Sequence, residues 1–125
     1  MKLRLLDDSI RLRLSRSEVL AVDASGSVEG QTRFPDGAAF RFALEVSAAE
    51  SASARFEDGR MVVALPRAEI SAWANDDAAV SLREEVDLPD SNTLKLLVEK
   101  DFRCIGGRDD EDQSDLFVNP KSADC

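Results

Sequence analysis

An α+β domain of about eight antiparallel strands and two short helices is the architecture this sequence predicts. Three observations lead there. Apolar and polar residues alternate with period two through many short runs, as in "SIRLRL" at 9–14. Two short stretches break that alternation with helix-start chemistry, at "SRSE" (15–18) and "PRAEI" (66–70). The order of elements around those two starts then recurs along the chain.

Taken in order, "KLRLL" (2–6) and "SIRLRL" (9–14) are strands that flank a turn at Asp7-Asp8. Ser15 and Glu18 have capping-box spacing, so a helix begins there and runs to about Ala24, with Gly26 suited to its left-handed C-terminal cap. "SVEGQTRF" (27–34) and "AAFRFALEV" (38–46) are strands around the turn "PDG". "SAAESAS" (47–53) is small and polar and reads as a connector. "ARFE" (54–57) and "MVVAL" (61–65) follow as strands, then a helix over "PRAEISAWAND" (66–76) with Pro66 in its first turn. "AVSLREEV" (79–86) and "TLKLLVEKDF" (93–102) are strands around "DLPDSN".

The recurrence extends to residues. Leu14-Ser15-Arg16-Ser17-Glu18-Val19 parallels Leu65-Pro66-Arg67-Ala68-Glu69-Ile70. Pro35-Asp36 followed by Phe40–Glu45 parallels Pro89-Asp90 followed by Leu94–Glu99. The expectation is a duplicated ββαββ unit, with pseudo-repeats 2–46 and 53–102 related by a pseudo-twofold. Both helices then lie on one face of a curved sheet or barrel. Residues 1–108 form a single domain, and 109–125 form an acidic irregular tail.

The period assigns faces. Leu3, Leu5, Ile10, Leu12, Leu14, Phe34, Phe40, Phe42, Leu44, Phe56, Met61, Val63, Leu65, Val80, Leu82, Leu94, Leu96 and Val98 point to the core. Val19 and Val22, and Ile70 and Trp73, supply the helix stripes that cover them. The opposite strand faces carry Lys2, Arg4, Arg11, Arg13, Arg33, Arg41, Arg55, Arg83 and Lys95, interleaved with Glu29, Glu45, Glu85 and Glu99. A solvated polar sheet face with weak cross-strand ion pairs accounts for such a row. A cupped or closed sheet makes it instead an anion site, with Arg11, Arg13, Arg41, Arg83 and Lys95 as the candidate residues.

Composition narrows the function classes. The net charge of −9 argues against general nucleic-acid binding. No apolar run is long enough to span a membrane as a helix, and the charged opening lacks a signal peptide's apolar core, so the expected compartment is the cytoplasm. There is no histidine, which removes the commonest general base and metal ligand. Cys104 and Cys125 read as free thiols in a reducing compartment. The run Asp109, Asp110, Glu111, Asp112, Asp115 fails as a calcium loop: Asp115 stands where the turn glycine belongs, and Lys121 where the bidentate glutamate belongs. It reads as a solvated acidic loop lying near the basic strand face, anchored by Leu116, Phe117 and Val118.

"KLRLLDDSIRLRLSRSEV" and "LVEKDFRCI…DLFVNP" resemble a small family of uncharacterised bacterial proteins, which implies no activity and no site residue. The duplicated β-α-β arrangement with a charged sheet interior also resembles the triphosphate tunnel enzymes, antiparallel barrels that bind triphosphate on basic residues with a glutamate-held metal. Their opening strand carries Glu-x-Glu-x-Lys, whereas this chain begins Met1-Lys2-Leu3-Arg4-Leu5. No catalytic or metal-binding residue is therefore carried over, and no cofactor is expected. The leading expectation is a non-catalytic binding or interaction module, monomeric or homodimeric, with a small anionic ligand or a protein as partner. The alternative is an anion-binding or phosphohydrolase-like protein acting on phosphorylated small molecules.

Overall fold

The computed structural model describes residues 1–102 and 114–118. The strands are β1 (Lys2–Leu5), β2 (Ser9–Leu14), β3 (Ser27–Arg33), β4 (Ala39–Ser47), β5 (Ser53–Glu57), β6 (Arg60–Pro66), β7 (Ser81–Asp87) and β8 (Thr93–Lys100). Helix α1 (Arg16–Ser25) follows β2, and α2 (Arg67–Asn75) follows β6. Each half of the chain thus runs strand, strand, helix, strand, strand.

The strands form two four-stranded sheets, one in the order β1-β2-β8-β7 and the other β3-β4-β6-β5. Neither closes into a barrel, so the tunnel geometry of the triphosphate enzymes is not adopted. The pairing is also not purely antiparallel. Each hairpin is antiparallel, but the hairpins join through parallel pairs, β2 with β8 and β4 with β6. The helices set which hairpins share a sheet. Helix α1 carries the chain out of the first sheet into the second, and α2 carries it back. The two terminal hairpins therefore share one sheet and the two middle hairpins the other. Parallel partners need a longer connection than a hairpin turn, and β4 reaches β6 through the connector 48–52 and β5.

The helices form where their caps predict. The Ser15 side chain accepts from the Glu18 amide, and the Glu18 carboxylate accepts from the Ser15 amide at 2.9 Å. Gly26 takes φ 85° and donates its N–H to the Val22 carbonyl at 3.0 Å, closing the last turn in a conformation that favours glycine. At α2 the cap residue is Pro66, which makes no side-chain cap bond. The helices touch each other, and each touches strands of both sheets: α1 meets β2, β3 and β4, and α2 meets β4, β6 and β7. They bridge the sheets instead of sheltering one face of a single sheet.

One core results. Leu12 and Leu14 of the first sheet, Leu44 and Leu65 of the second, and Val22, Ile70 and Trp73 of the helices are all buried in it. The Trp73 indole N–H donates to the Val80 carbonyl at 3.1 Å, satisfying the polar atom of this buried ring. Leu5, at the end of edge strand β1, Phe34, Phe56 and Val80 depart from the core expectation. They are exposed, because Phe34 and Val80 lie just beyond strand ends and Phe56 lies on the edge strand β5.

The segment 114–118 returns to the body. Leu116 is buried, and Phe117 forms a parallel bridge with Phe102, their rings 5.6 Å apart. Val118 is exposed, so Leu116 and Phe117 are the anchor. Asp115 does not meet the basic strand face. Its carbonyl accepts from the Arg16 amide at 2.9 Å and its carboxylate from the Ser17 amide at 3.3 Å, at the N-terminus of α1, where the helix dipole favours negative charge. The hydroxyls of Ser17 and then Ser15 hold that carboxyl below its usual range. Residues 109–113, Cys104 and Cys125 lie outside the described residues.

Candidate anion-binding site

Strand register builds the basic face row by row. On the outer side of the first sheet, Lys2, Arg13, Glu99 and Ser81 lie in one row across the four strands. Arg4, Arg11, Leu97 and Arg83 form the next row. Ser9, Lys95 and Glu85 form the third. Adjacent strands lie about 4.8 Å apart, so the arginine row spans roughly 14 Å from Arg4 to Arg83.

Part of the positive charge is already matched. One oxygen of Glu99 accepts from Arg11 Nε and from Arg13 Nε, each at 2.7 Å. Lys2 pairs with Asp101 at 2.7 Å. By contrast, the side chains of Arg4, Arg83 and Lys95 make no ion pair among the described residues. Together with Arg11 they surround Leu97 and line an open hollow of about 230 Å³. Among the described residues no carboxylate lines that hollow. Two more hollows flank it. One, of about 210 Å³, is bounded by Lys2, Arg4, Arg11 and Arg13. The other, of about 460 Å³, is bounded by Arg83, Glu84, Glu85 and Lys95. Arginine forks held at an apolar floor suit phosphate or carboxylate oxygens, which they bind with paired hydrogen bonds.

The outer face of the second sheet is different. Arg60 bonds Glu29 at 3.0 Å and Glu45 at 3.1 Å, and Arg55 stands 3.7 Å from Glu45. Those two carboxylates hold the Arg60 guanidinium more firmly protonated. The ion pairs lie over Ala43 and Val62, which are buried although they point outward. Ion pairs therefore cover the centre of this face, while Arg33 and Arg41 at its other end make no ion pair among the described residues.

Four of the five predicted site residues share one face: Arg11, Arg13, Arg83 and Lys95. Arg41 does not join them. It lies on β4 of the second sheet, beside Arg60 and Gln31, because α1 carries the chain out of the first sheet before β3 and β4 form. Arg4 replaces it in the cluster. The period-two alternation already put Arg4 on the outer face, and its register opposite Arg11 was the missing signal. Among the described residues no group of three or more metal-ligating side chains gathers. No helix among them is long and apolar enough to cross a membrane.

The fold and this face define an α+β protein of two open sheets bridged by two helices, with ion pairs across the centre of one outer face and a cluster of cations at the centre of the other. The chain belongs to DUF7009, a family of unknown function whose model matches residues 1–121. No curated protein and no solved structure matches it.

Proposed function

We propose that this protein is a non-catalytic binding module that takes a multiply charged phosphate compound on the outer face of the β1-β2-β8-β7 sheet. The observation that carries the reading is the set Arg4, Arg83 and Lys95, gathered with Arg11 around Leu97 in a hollow where, among the described residues, no carboxylate stands. In a chain of net charge −9, leaving cations together without internal partners costs repulsion that an anionic ligand relieves. The absence of histidine supports binding over acid–base chemistry. The 14 Å spread suits several charges better than one. The same reading takes residues 1–108 as the binding body, and the two ββαββ halves as copies of one duplicated unit whose outer faces have since diverged.

Titration calorimetry with tripolyphosphate at low salt tests it. Arg83→Glu and Lys95→Glu should each weaken binding at least tenfold, whereas Arg41→Glu, on the other sheet, should change it less than twofold. Equal losses at Arg41 and Arg83 would mean attraction by overall charge, and no binding by the parent protein would end the proposal.

A further inference from the structure

A second concavity lies at the helix end of the molecule, away from the basic face. It has a volume of about 500 Å³, within the range of small-ligand pockets. Its apolar walls include Val19 and Leu20 of α1, Ala74 of α2, Phe102 after β8, and Phe117 and Val118 of the returning segment. Leu20 and Val118 are 62% and 68% exposed, which leaves apolar surface open at this cleft.

Lys100 also lines it, and its situation is unusual. Residues Leu96, Val98 and Lys100 alternate on the inner side of β8, so the strand period drives this lysine into the core, where it is 4% exposed. Its ammonium donates to the Asp76 carbonyl at 2.9 Å. It also stands 5.8 Å from the centre of the Trp73 ring and 5.5 Å from that of Phe117. An ammonium has three donors, and among the described residues Asp76 supplies the one oxygen that Lys100 meets. No carboxylate pairs with it within 4 Å among those residues. Burial without an anion costs free energy, and it lowers the lysine's pKa despite Asp77 and Asp76 nearby. Among the described residues, Arg16 and Asp77 are the other charged groups that line it.

We propose that this cleft binds a small molecule with an apolar or aromatic body and a single carboxylate, the carboxylate seated on Lys100 and the body against Leu20, Phe117 and Val118. The ligand supplies the oxygens that the buried ammonium lacks, and it covers the apolar walls. Arg16 adds a second cation to the lining, and Asp77 partly opposes the charge.

Phenylacetate and its neutral analogue phenylacetamide are the probes, titrated into the full chain by calorimetry or by ligand-observed NMR. Phenylacetate should bind at least tenfold tighter than phenylacetamide. Leu20→Glu changes an exposed residue and should abolish phenylacetate binding with the melting temperature nearly unchanged. Asp77→Asn should tighten binding severalfold. Lys100→Met should erase the preference for acid over amide. Equal binding of acid and amide, or an unchanged affinity in Leu20→Glu, overturns the proposal. So does loss of phenylacetate binding in Arg83→Glu, which would place the site on the basic sheet face instead.

Discussion

Among the described residues Glu99 is the carboxylate that holds two arginines of the basic face, so replacing it with glutamine should strengthen anion binding while weakening the fold. Leu97 and Glu99 are two residues apart on one strand and share a face, which puts a ligand charge above Leu97 about 7 Å from the Glu99 carboxylate. At an effective dielectric near 20 their repulsion is about 2.4 kcal/mol. Screening with a Debye length of about 8 Å at 0.15 M salt reduces this to about 1 kcal/mol, or roughly fivefold in affinity. At 0.02 M the Debye length is roughly 20 Å, and the gain rises to between about tenfold and twentyfold. The substitution also releases Arg11 and Arg13, whose side chains are 29% and 32% exposed, from their shared acceptor. Hydrogen bonds to charged groups contribute about 1.5–3 kcal/mol, and this partial exposure puts the stability loss near the low end. Tripolyphosphate titrated into both proteins at the two salt concentrations is the assay, with a thermal melt to confirm folding. An unchanged or weaker affinity in a folded Glu99→Gln protein refutes the electrostatic account of this face.

Two further outcomes follow from packing and protonation. Gly30 lies opposite Phe42, and a Cβ there would fall 2.7 Å from the ring tip, so Gly30→Ala should cost about 1–3 kcal/mol in chemical denaturation. In the Phe42→Leu background most of that penalty should vanish, and an equal penalty in both backgrounds would locate the strain elsewhere. Glu69 of α2 has its pKa raised from 4.5 to about 7, first by its hydrogen bond with Glu84 of β7 and then by desolvation. A pKa raised by folding gives stability that is complete below about 4.5 and lost as pH rises through about 7. With both carboxylates half-buried, solvent screening leaves a loss of about 1 kcal/mol between pH 5 and 8. Glu84→Gln supplies an amide donor in place of the shared proton and should flatten that profile. A fall of the same size in the variant would show that other groups set it.

Local chemistry in the sequence was enough to place the elements and their faces. The capping box at Ser15 and the left-handed Gly26 marked the ends of α1, and period two sorted Leu12 inward and Arg11 outward. Strand partners were not legible, because alternation says which way a side chain points and nothing about which strand lies beside it. Arg41 shows the consequence. Its outward direction was readable, but its sheet was set by the route of α1. Ala43 and Val62 show another limit, since they are outward by period yet buried beneath the long side chains of Arg60 and Glu29. Lys100 was readable in principle, as the third inward position after Leu96 and Val98, but a lysine in the core is rare enough that composition argues against it.

The two outer faces can be compared almost position by position, because exchanging the halves maps β8 onto β4 and β2 onto β6. On the second sheet, Ala43 and Val62 occupy the central row, and Arg60 is drawn across them by two glutamates. In the corresponding row of the first sheet, Leu97 lies between Arg11 and Arg83. Its carboxylate, Glu99, sits one row away and is already shared by two arginines. Small residues under bridging ion pairs make a closed surface. A larger apolar residue with Arg4, Arg83 and Lys95 around it, none of them ion-paired among the described residues, leaves a hollow. Both faces are solvated strands with similar residue types, so polarity alone does not distinguish them. The difference is where the carboxylates stand relative to the central row, and that placement is the physical reason to seek an anion on one sheet and not on the other.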